Sequence, residues 1–86
     1  MALNNYRDEV QRFMLKLGDK AFDRQVIVAE LEHELKVLKE NLTNKVIVDH
    51  QIYDLLFLLM ELAVHNQTDI DAEWDKGRAR KKEYCE

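Results

Sequence analysis

The feature that most constrains this chain is an almost continuous apolar segment at positions 55–64, LLFLLMELAV, in which Glu61 is the one charged residue. The segment predicts a helix that is apolar nearly all round, and such a helix has to be surrounded by protein. Because the apolar run is much shorter than the ~20 residues that span a bilayer, we expect a core helix and no membrane partner.

The rest of the chain predicts an all-α fold with four short helices. There is no proline, and the two glycines, Gly18 and Gly77, leave few interior breaks, so short polar turns are expected between helices. Apolar residues spaced three and four apart give the first two helices one apolar stripe each. The predicted helices 1, 2 and 3 cover about residues 2–17, 21–42 and 49–66, and helix 4 follows residue 68.

Polar residues predict where helices 3 and 4 begin. Asp49 is expected to cap helix 3, which makes the β-branched segment 45–48 the connection from helix 2. Thr68 followed by Asp71 has the spacing of an N-terminal cap for helix 4. Trp74 is then expected to anchor helix 4 in the core.

The chain is short for the apolar surface that it carries. A single domain over residues 1–86 buries only a little over ~60% of the surface that its unfolded chain exposes. Two amphipathic helices and one terminal helix cannot easily cover helix 3. We therefore expect a homodimer or homotetramer in which helices 2 and 3 form a four-helix-bundle core.

Composition limits the compartment and the partners. Cys85 is the only cysteine, so an internal disulfide is not available. The first residues lack the basic start and apolar run of a signal peptide, and we expect a cytoplasmic protein. A formal net charge of −4 argues against stable nucleic-acid binding, because phosphate neutralisation needs a basic surface.

Two groups of polar residues are candidates for chemistry. On helix 2, Glu30, His33 and Glu34 project from one side at spacings of three and four, which is a metal-ligand geometry. Helix 3 carries polar residues on one side of an apolar helix, where burying a charge costs several kcal/mol unless it is paired or binds a metal. The alternatives are a solvated charged face on helix 2 and an ion pair between Asp54 and a basic residue across the bundle. The helix 3 residues are His50, Asp54, Glu61 and His65.

The segments DLLFLLMELA at 54–63 and IDAEW at 70–74, after an acidic helix 2, resemble the MazG-like, all-α nucleoside triphosphate pyrophosphohydrolases. The resemblance covers nearly the whole chain. In that family a Glu-x-x-Glu pair and a Glu-x-x-Asp pair hold magnesium, which positions the triphosphate for attack by water between the α and β phosphorus atoms. The resemblance implies Mg²⁺ or Mn²⁺ as cofactor, a nucleoside triphosphate as partner, and a dimer or tetramer with a shared four-helix core.

Residue by residue, the resemblance is incomplete. Asp54 matches the Asp of the second pair, and Glu30 with Glu34 or His33 falls where the first pair belongs. Gln51 stands where the family has a glutamate, and Glu30 and Glu34 are four apart, with His33 at the expected position. Because magnesium prefers hard oxygen ligands, Gln and His weaken such a site. The resemblance thus implies Glu30, Glu34 and Asp54 as catalytic residues, and Glu30, His33, Glu34, Gln51 and Asp54 as metal ligands.

The basic tail also resembles the family's closing segment, in which basic and aromatic groups approach the phosphates of the nucleotide. This implies phosphate contacts, since cations neutralise a triphosphate. The alternative is a solvated face whose cations complement the dipole at the C-terminal end of helix 4. The residues concerned are Lys76, Arg78, Lys81 and Tyr84.

These observations leave three functional hypotheses. The leading one is MazG-like, magnesium-dependent hydrolysis of (d)NTP to (d)NMP and pyrophosphate, or a descendant with reduced activity. The alternative is a catalytically inactive helical oligomerisation or interaction module, favoured by Gln51 and by the irregular first pair. A third, a di-iron bundle, uses the Glu-x-x-His step from Glu30 to His33 in a symmetric dimer.

Overall fold

The structure, a computed structural model, describes residues 2–18 and 23–85, and all regular elements in these ranges are α-helices. The prediction of an all-α chain with four helices is therefore confirmed. Within the same ranges, no helix combines the length and the apolar character that a bilayer crossing requires. The helices are α1 (Leu3–Leu17), α2 (Arg24–Glu40), α3 (Lys45–His65) and α4 (Ile70–Cys85).

Helix α1 ends as predicted, at a glycine. Gly18 has a φ of +89°, a value that residues with a side chain rarely adopt, and its N–H donates to the Met14 carbonyl at 3.0 Å. Helix α2 begins at Arg24 because the Asp23 carboxylate accepts a hydrogen bond from the Gln25 N–H at 2.7 Å. The predicted positions 21 and 22 of helix 2 lie outside the described residues.

Helix α2 ends at Glu40, two residues before its predicted end at Leu42, and a short turn over 41–44 leads into α3. In this turn the Asn41 side-chain amide donates to the Val37 carbonyl at 2.8 Å, which satisfies a carbonyl left free at the end of the helix. The turn joins α2 and α3 into a helical hairpin, and these two helices pack closely.

The predicted start of helix 3 is wrong by one turn. Asn44, and not Asp49, caps α3, since its side-chain oxygen accepts from the Ile47 N–H at 3.2 Å. The segment 45–48 is helical because Ile47 and Val48 are half-buried, and packing outweighs the weak helix propensity of β-branched residues. Asp49 lies within the helix and pairs with Lys45 one turn earlier, at 2.7 Å.

The beginnings of α1 and α4 cap each other. The Asp71 carboxylate accepts from the Leu3 N–H at 2.9 Å, and the Asn4 side-chain oxygen accepts from the Ile70 N–H at 2.8 Å. Asp69, and not Thr68 as predicted, caps α4 by accepting from the Ala72 N–H at 3.0 Å. The hydrogen bond from the Asn4 amide and this backbone bond lower the pKa of Asp69.

A small core forms where α3 packs against α1 and α2. Its buried residues come from all three helices, and the half-buried Leu31, Phe57, Leu62, Val64 and Ile70 pack around them. Burial of these side chains is the main favourable term that holds the three helices together. The buried residues are Val10, Met14, Ile27, Leu58 and Met60.

Much of the apolar surface of α3 stays outside this core. Ile52, Tyr53, Leu56 and Leu59 are each at least half exposed, so the described part of the chain does not cover the helix, as expected from its sequence. Trp74 is 52% exposed and is therefore not the core anchor that we predicted for helix 4. Its helix packs chiefly on α1.

We expect Ile27→Ala to lower the free energy of unfolding by ~2–5 kcal/mol, because the side chain is 1% exposed and the truncation leaves a cavity. The neighbouring Val26→Ala, at a side chain that is 42% exposed, is the matched control and should cost less than ~1 kcal/mol. Urea unfolding at one fixed protein concentration measures both. Equal losses for the two variants would contradict this assignment of the core.

Candidate active site

Helices α1, α2 and α3 line an open cavity of about 530 Å³ with an acidic and aromatic wall. Each helix contributes residues three or four positions apart, which places them on the stripe that faces the other two helices. Among these lining residues, every titratable group except the Tyr53 phenol is a carboxyl group. The cavity is lined by Glu9, Phe13, Glu30, Glu34, Tyr53, Asp54, Phe57, Leu58 and Glu61.

The three predicted catalytic residues meet at this cavity. Glu30 and Glu34 line it from α2, one turn apart, and Asp54 lines it from α3. His33 is exposed and does not line the cavity, although it lies between the two glutamates in the sequence. Glu30 and Glu34 therefore share the side of α2 that faces the cavity, and His33 lies on an exposed part of the helix surface.

Gln51 connects α3 to α2 and does not line the cavity. It is 4% exposed, and its side-chain amide donates to the Glu34 carbonyl oxygen at 3.0 Å and to the Glu34 carboxylate at 2.5 Å. A glutamate at this position would place a second carboxylate against that of Glu34. The departure from the family pattern thus has a local physical reason, because an amide donor suits a buried site that offers two acceptors.

Asp54 pairs within its own helix. Its carboxylate lies 3.0 Å from Nε2 of His50, one turn earlier, and the two side chains are 33% and 71% exposed, respectively. The ion pair that we considered for Asp54, with a basic residue across the bundle, is not formed in the described part of the chain. His65 lies at the far end of α3, beside Arg24, and does not line the acidic cavity.

Glu61 is the most deeply buried acid of the cavity, at 5% exposure. Burial, and secondly the nearby charge of Glu30, raises its pKa to about 7. Among the described residues it forms neither an ion pair nor a hydrogen bond. The sequence marks Glu61 as one of the polar residues of helix 3 that could carry chemistry, but the family resemblance does not include it among the catalytic residues or metal ligands.

Helix α1 adds two lining residues that sequence reasoning missed. Glu9 and Phe13 are one helical turn apart and face α3, where the Phe13 and Phe57 rings meet edge to face at 5.3 Å between centroids. The Tyr53 and Phe57 centroids are 6.0 Å apart. The signal was weak, because Glu9 resembles any charged residue on an amphipathic helix.

The basic tail does not reach the cavity of its own chain. Lys76 and Arg78 lie 3.4 Å from Glu73 and 3.7 Å from Asp75, respectively, and all four side chains belong to α4. Lys81 and Tyr84 are exposed on the same helix. None of the predicted phosphate-contacting residues lines the acidic cavity.

The carboxylates of the cavity are of the chemical type that binds magnesium, but their side chains are not arranged to share one ion. Glu30, Glu34 and Asp54 offer the hard oxygen donors that Mg²⁺ prefers. In residues 2–18 and 23–85, however, no three His, Cys, Asp or Glu side chains converge closely enough to hold an ion. Glu34 is turned toward Gln51 and Asp54 toward His50, so a metal site requires these side chains to rotate.

Comparison of the chain with protein-family models, with curated proteins and with solved structures finds no match in any of the three. Membership of a family stays a prediction that depends on the sequence segments 54–63 and 70–74. The geometry of the cavity is independent of that prediction.

Glu61 makes stability depend on pH. Its pKa of about 7 lies above the ordinary 4.5, so the folded chain binds this proton more tightly than the unfolded chain. The resulting stabilisation is complete below pH 4.5 and is lost as the pH rises through about 7. We expect Glu61→Gln to exceed the wild type in unfolding free energy at pH 8 and to match it near pH 4.5.

Urea unfolding at the two pH values measures this difference. Glu32→Gln, at an exposed position of α2, is the control. Its free energy of unfolding should follow that of the wild type at both pH values. A Glu61→Gln variant that is less stable than the wild type at pH 8 would contradict this prediction, because it would show that the ionised carboxylate has a stabilising partner in the fold.

Proposed function

We propose that this chain is a cytoplasmic, MazG-like nucleoside triphosphate pyrophosphohydrolase that cleaves (d)NTP to (d)NMP and pyrophosphate with magnesium or manganese. One observation carries the proposal: Glu30, Glu34 and Asp54, which the family resemblance singles out from two helices, line the same cavity. A cavity of about 530 Å³ lies within the size range of small-molecule sites.

The charge of the cavity supports a metal-dependent reaction. Its wall carries five carboxyl groups, from Glu9, Glu30, Glu34, Asp54 and Glu61, and no lysine or arginine. A triphosphate is itself anionic and is repelled by such a wall unless cations screen it. When bound, magnesium would supply that screening and would lower the pKa of an attacking water.

The residues around the cavity have different proposed roles. Glu30 and Glu34 on α2 and Asp54 on α3 are proposed to hold the cation from both sides of the cavity. Gln51 positions Glu34 through its two hydrogen bonds. The rings of Phe13, Tyr53 and Phe57 form a wall against which a nucleobase can pack.

We also propose a homodimer or homotetramer whose core is a four-helix bundle of α2 and α3 from two copies. The support is the apolar surface that remains on α3, where Ile52, Leu56 and Leu59 are at least half exposed. Contacts from Lys76, Arg78, Lys81 and Tyr84 to a nucleotide require either such a second copy or a movement of α4, since none of them lines the cavity of its own chain.

A second candidate function is an inactive helical interaction module. The buried hydrogen bonds of Gln51 favour it, because they hold the Glu34 carboxylate away from a metal. The absence of three converging ligands among the described residues favours it as well. A magnesium titration followed by backbone NMR separates the two candidates: shifts centred on Glu30 and Asp54 support the enzyme, and none supports the module.

We expect Asp54→Asn to lower kcat/KM for magnesium-dependent triphosphate hydrolysis by at least ~100-fold, equivalent to ~2.7 kcal/mol, because the amide keeps the shape and removes the charge. Helix content by circular dichroism should not change, since the His50 side chain that Asp54 contacts is mostly exposed. Asp75→Asn, on α4, is the control and should retain activity. Full activity of Asp54→Asn would contradict the proposed metal site.

We expect light scattering at micromolar concentration to give the mass of a dimer or tetramer. Leu59→Asp should unfold the chain instead of releasing stable monomers, because it places a charge in the proposed shared core. The same substitution at Leu15, which is 65% exposed on α1, is the matched control and should leave the mass unchanged. A folded wild-type monomer would rule out the oligomer.

A further inference from the structure

We propose that the C-terminal end of α4 docks on a second copy of this chain, with Tyr84 in the groove between α1 and α3 and with Arg80 and Lys81 beside the acidic cavity. The inference goes beyond the proposed function, because it names an interaction surface and its partner and depends on neither a metal nor a nucleotide. The two copies exchange their α4 ends in both directions, which closes a two-fold dimer.

The end of α4 lacks the packing that usually stabilises a helix. Residues 78–84 are all exposed, whereas the first turn of α4 is hydrogen-bonded to the start of α1 through Asp71 and Ile70. Most helices in proteins are stabilised by tertiary packing, and an isolated helix shorter than ~12–15 residues is marginal in water. The last two turns of α4 would therefore gain stability from a partner.

An apolar groove of about 180 Å³ lies between α1 and α3, next to the acidic cavity. Glu9, Tyr53 and Phe57 line both the groove and the cavity, so an apolar site and an acidic site adjoin each other. Val10 and Met60 form part of the groove wall, in which Glu9 is the one charged residue. The volume and the apolar wall suit one large aromatic side chain.

The end of α4 presents the matching groups. Tyr84 is 86% exposed, more than any other large hydrophobic side chain among the described residues. Arg80 and Lys81 precede it by four and three positions, which places both cations beside the ring on the surface of the helix. An aromatic anchor with cations one turn away fits an apolar groove that adjoins a set of carboxylates.

The groove of the same chain is out of reach for this end of α4. Leu3 lines the groove, and its N–H donates to Asp71 at 2.9 Å, so α4 begins beside the groove and is held there. Tyr84 follows Ile70, the first residue of α4, by fourteen positions, which is ~20 Å along the helix axis. Tyr84 can therefore enter this groove only if α4 unwinds, or if the groove belongs to another chain.

Charge favours a second copy over a nucleic acid as the partner. Residues 76–82 carry five cations and no acid, and because the whole chain has a formal net charge of −4, the remaining residues carry −9. A nucleic acid that α4 attracts is repelled by this remainder. A second copy instead offers the acidic cavity, whose wall contains five carboxyl groups and no lysine or arginine.

Isotope-filtered NOE spectroscopy on a mixture of isotope-labelled and unlabelled chains, without metal or nucleotide, tests this contact. We expect NOEs between the Tyr84 ring of one chain and the methyl groups of Val10 and Met60 of another. Tyr84→Ala should weaken the association that these NOEs report by at least ~10-fold, as measured by dilution. Tyr84→Phe is the matched control and should retain it, because the groove is apolar.

Salt dependence tests the cations separately. Raising the salt concentration should weaken the contact in the wild type and should have less effect when Arg80→Gln and Lys81→Gln are combined. Lys36→Gln combined with Lys39→Gln, at exposed positions of α2, removes the same charge elsewhere and should leave the salt dependence unchanged. Equal salt dependence in the wild type and in both double variants would overturn the assigned role of Arg80 and Lys81.

Three results would overturn the docking surface. The first is the absence of interchain NOEs from the Tyr84 ring, and the second is NOEs from this ring to Val10 within one chain only. The third is binding of a single-stranded oligonucleotide to residues 76–82 in a sample without those interchain NOEs. Because no arm uses hydrolysis, interchain NOEs in a protein that hydrolyses no triphosphate would support the docking surface and count against the proposed function alone.

Discussion

The burial of one face of α3 against α1 and α2 is the constraint on which the rest of this structure depends. Ile27 and Leu58 meet in the core, and their packing fixes how α3 is rotated about its axis. The rotation decides which polar residues of α3 turn inward. Gln51 holds the same arrangement from its polar side, since its hydrogen bonds to Glu34 form only in this register.

This rotation places like charges together, at a cost to the fold. Glu30 and Glu61 raise each other's electrostatic energy, and burial adds to the cost for Glu61. Selection for stability alone would favour an apolar residue at such a position, and Leu58 is such a residue in the core face of the same helix. Retaining an unpaired acid in the wall of a cavity is characteristic of sites where stability is given up for binding or catalysis.

Much of the fold follows from the sequence, and the site follows in part. Periodicity and Gly18 located α1 to within one residue, because local signals decide that helix. The start of α3 was predicted wrongly, since the packing of Ile47 and Val48 decides it and not propensity. Spacing and resemblance named Glu30, Glu34, Asp54 and His33, and the first three line one cavity while His33 does not. The face of a helix that spacing defines is wider than the strip that lines a cavity. The pairing of Gln51 with Glu34 depends on the relative rotation of two helices, which a single sequence does not contain.

The side chains exchanged between the starts of α1 and α4 give the chain two cooperative units. Ala2 contributes no side-chain cap to α1, so the first turn of that helix depends on Asp71, while the first turn of α4 depends on Asn4. If the first turn of one helix opens, its side chain no longer accepts the hydrogen bond from the other helix, and a backbone N–H of that helix loses its partner. The first turns of α1 and α4 should therefore exchange their amide hydrogens together, at a lower free energy of opening than the α2–α3 hairpin, although 68 positions separate Leu3 from Asp71.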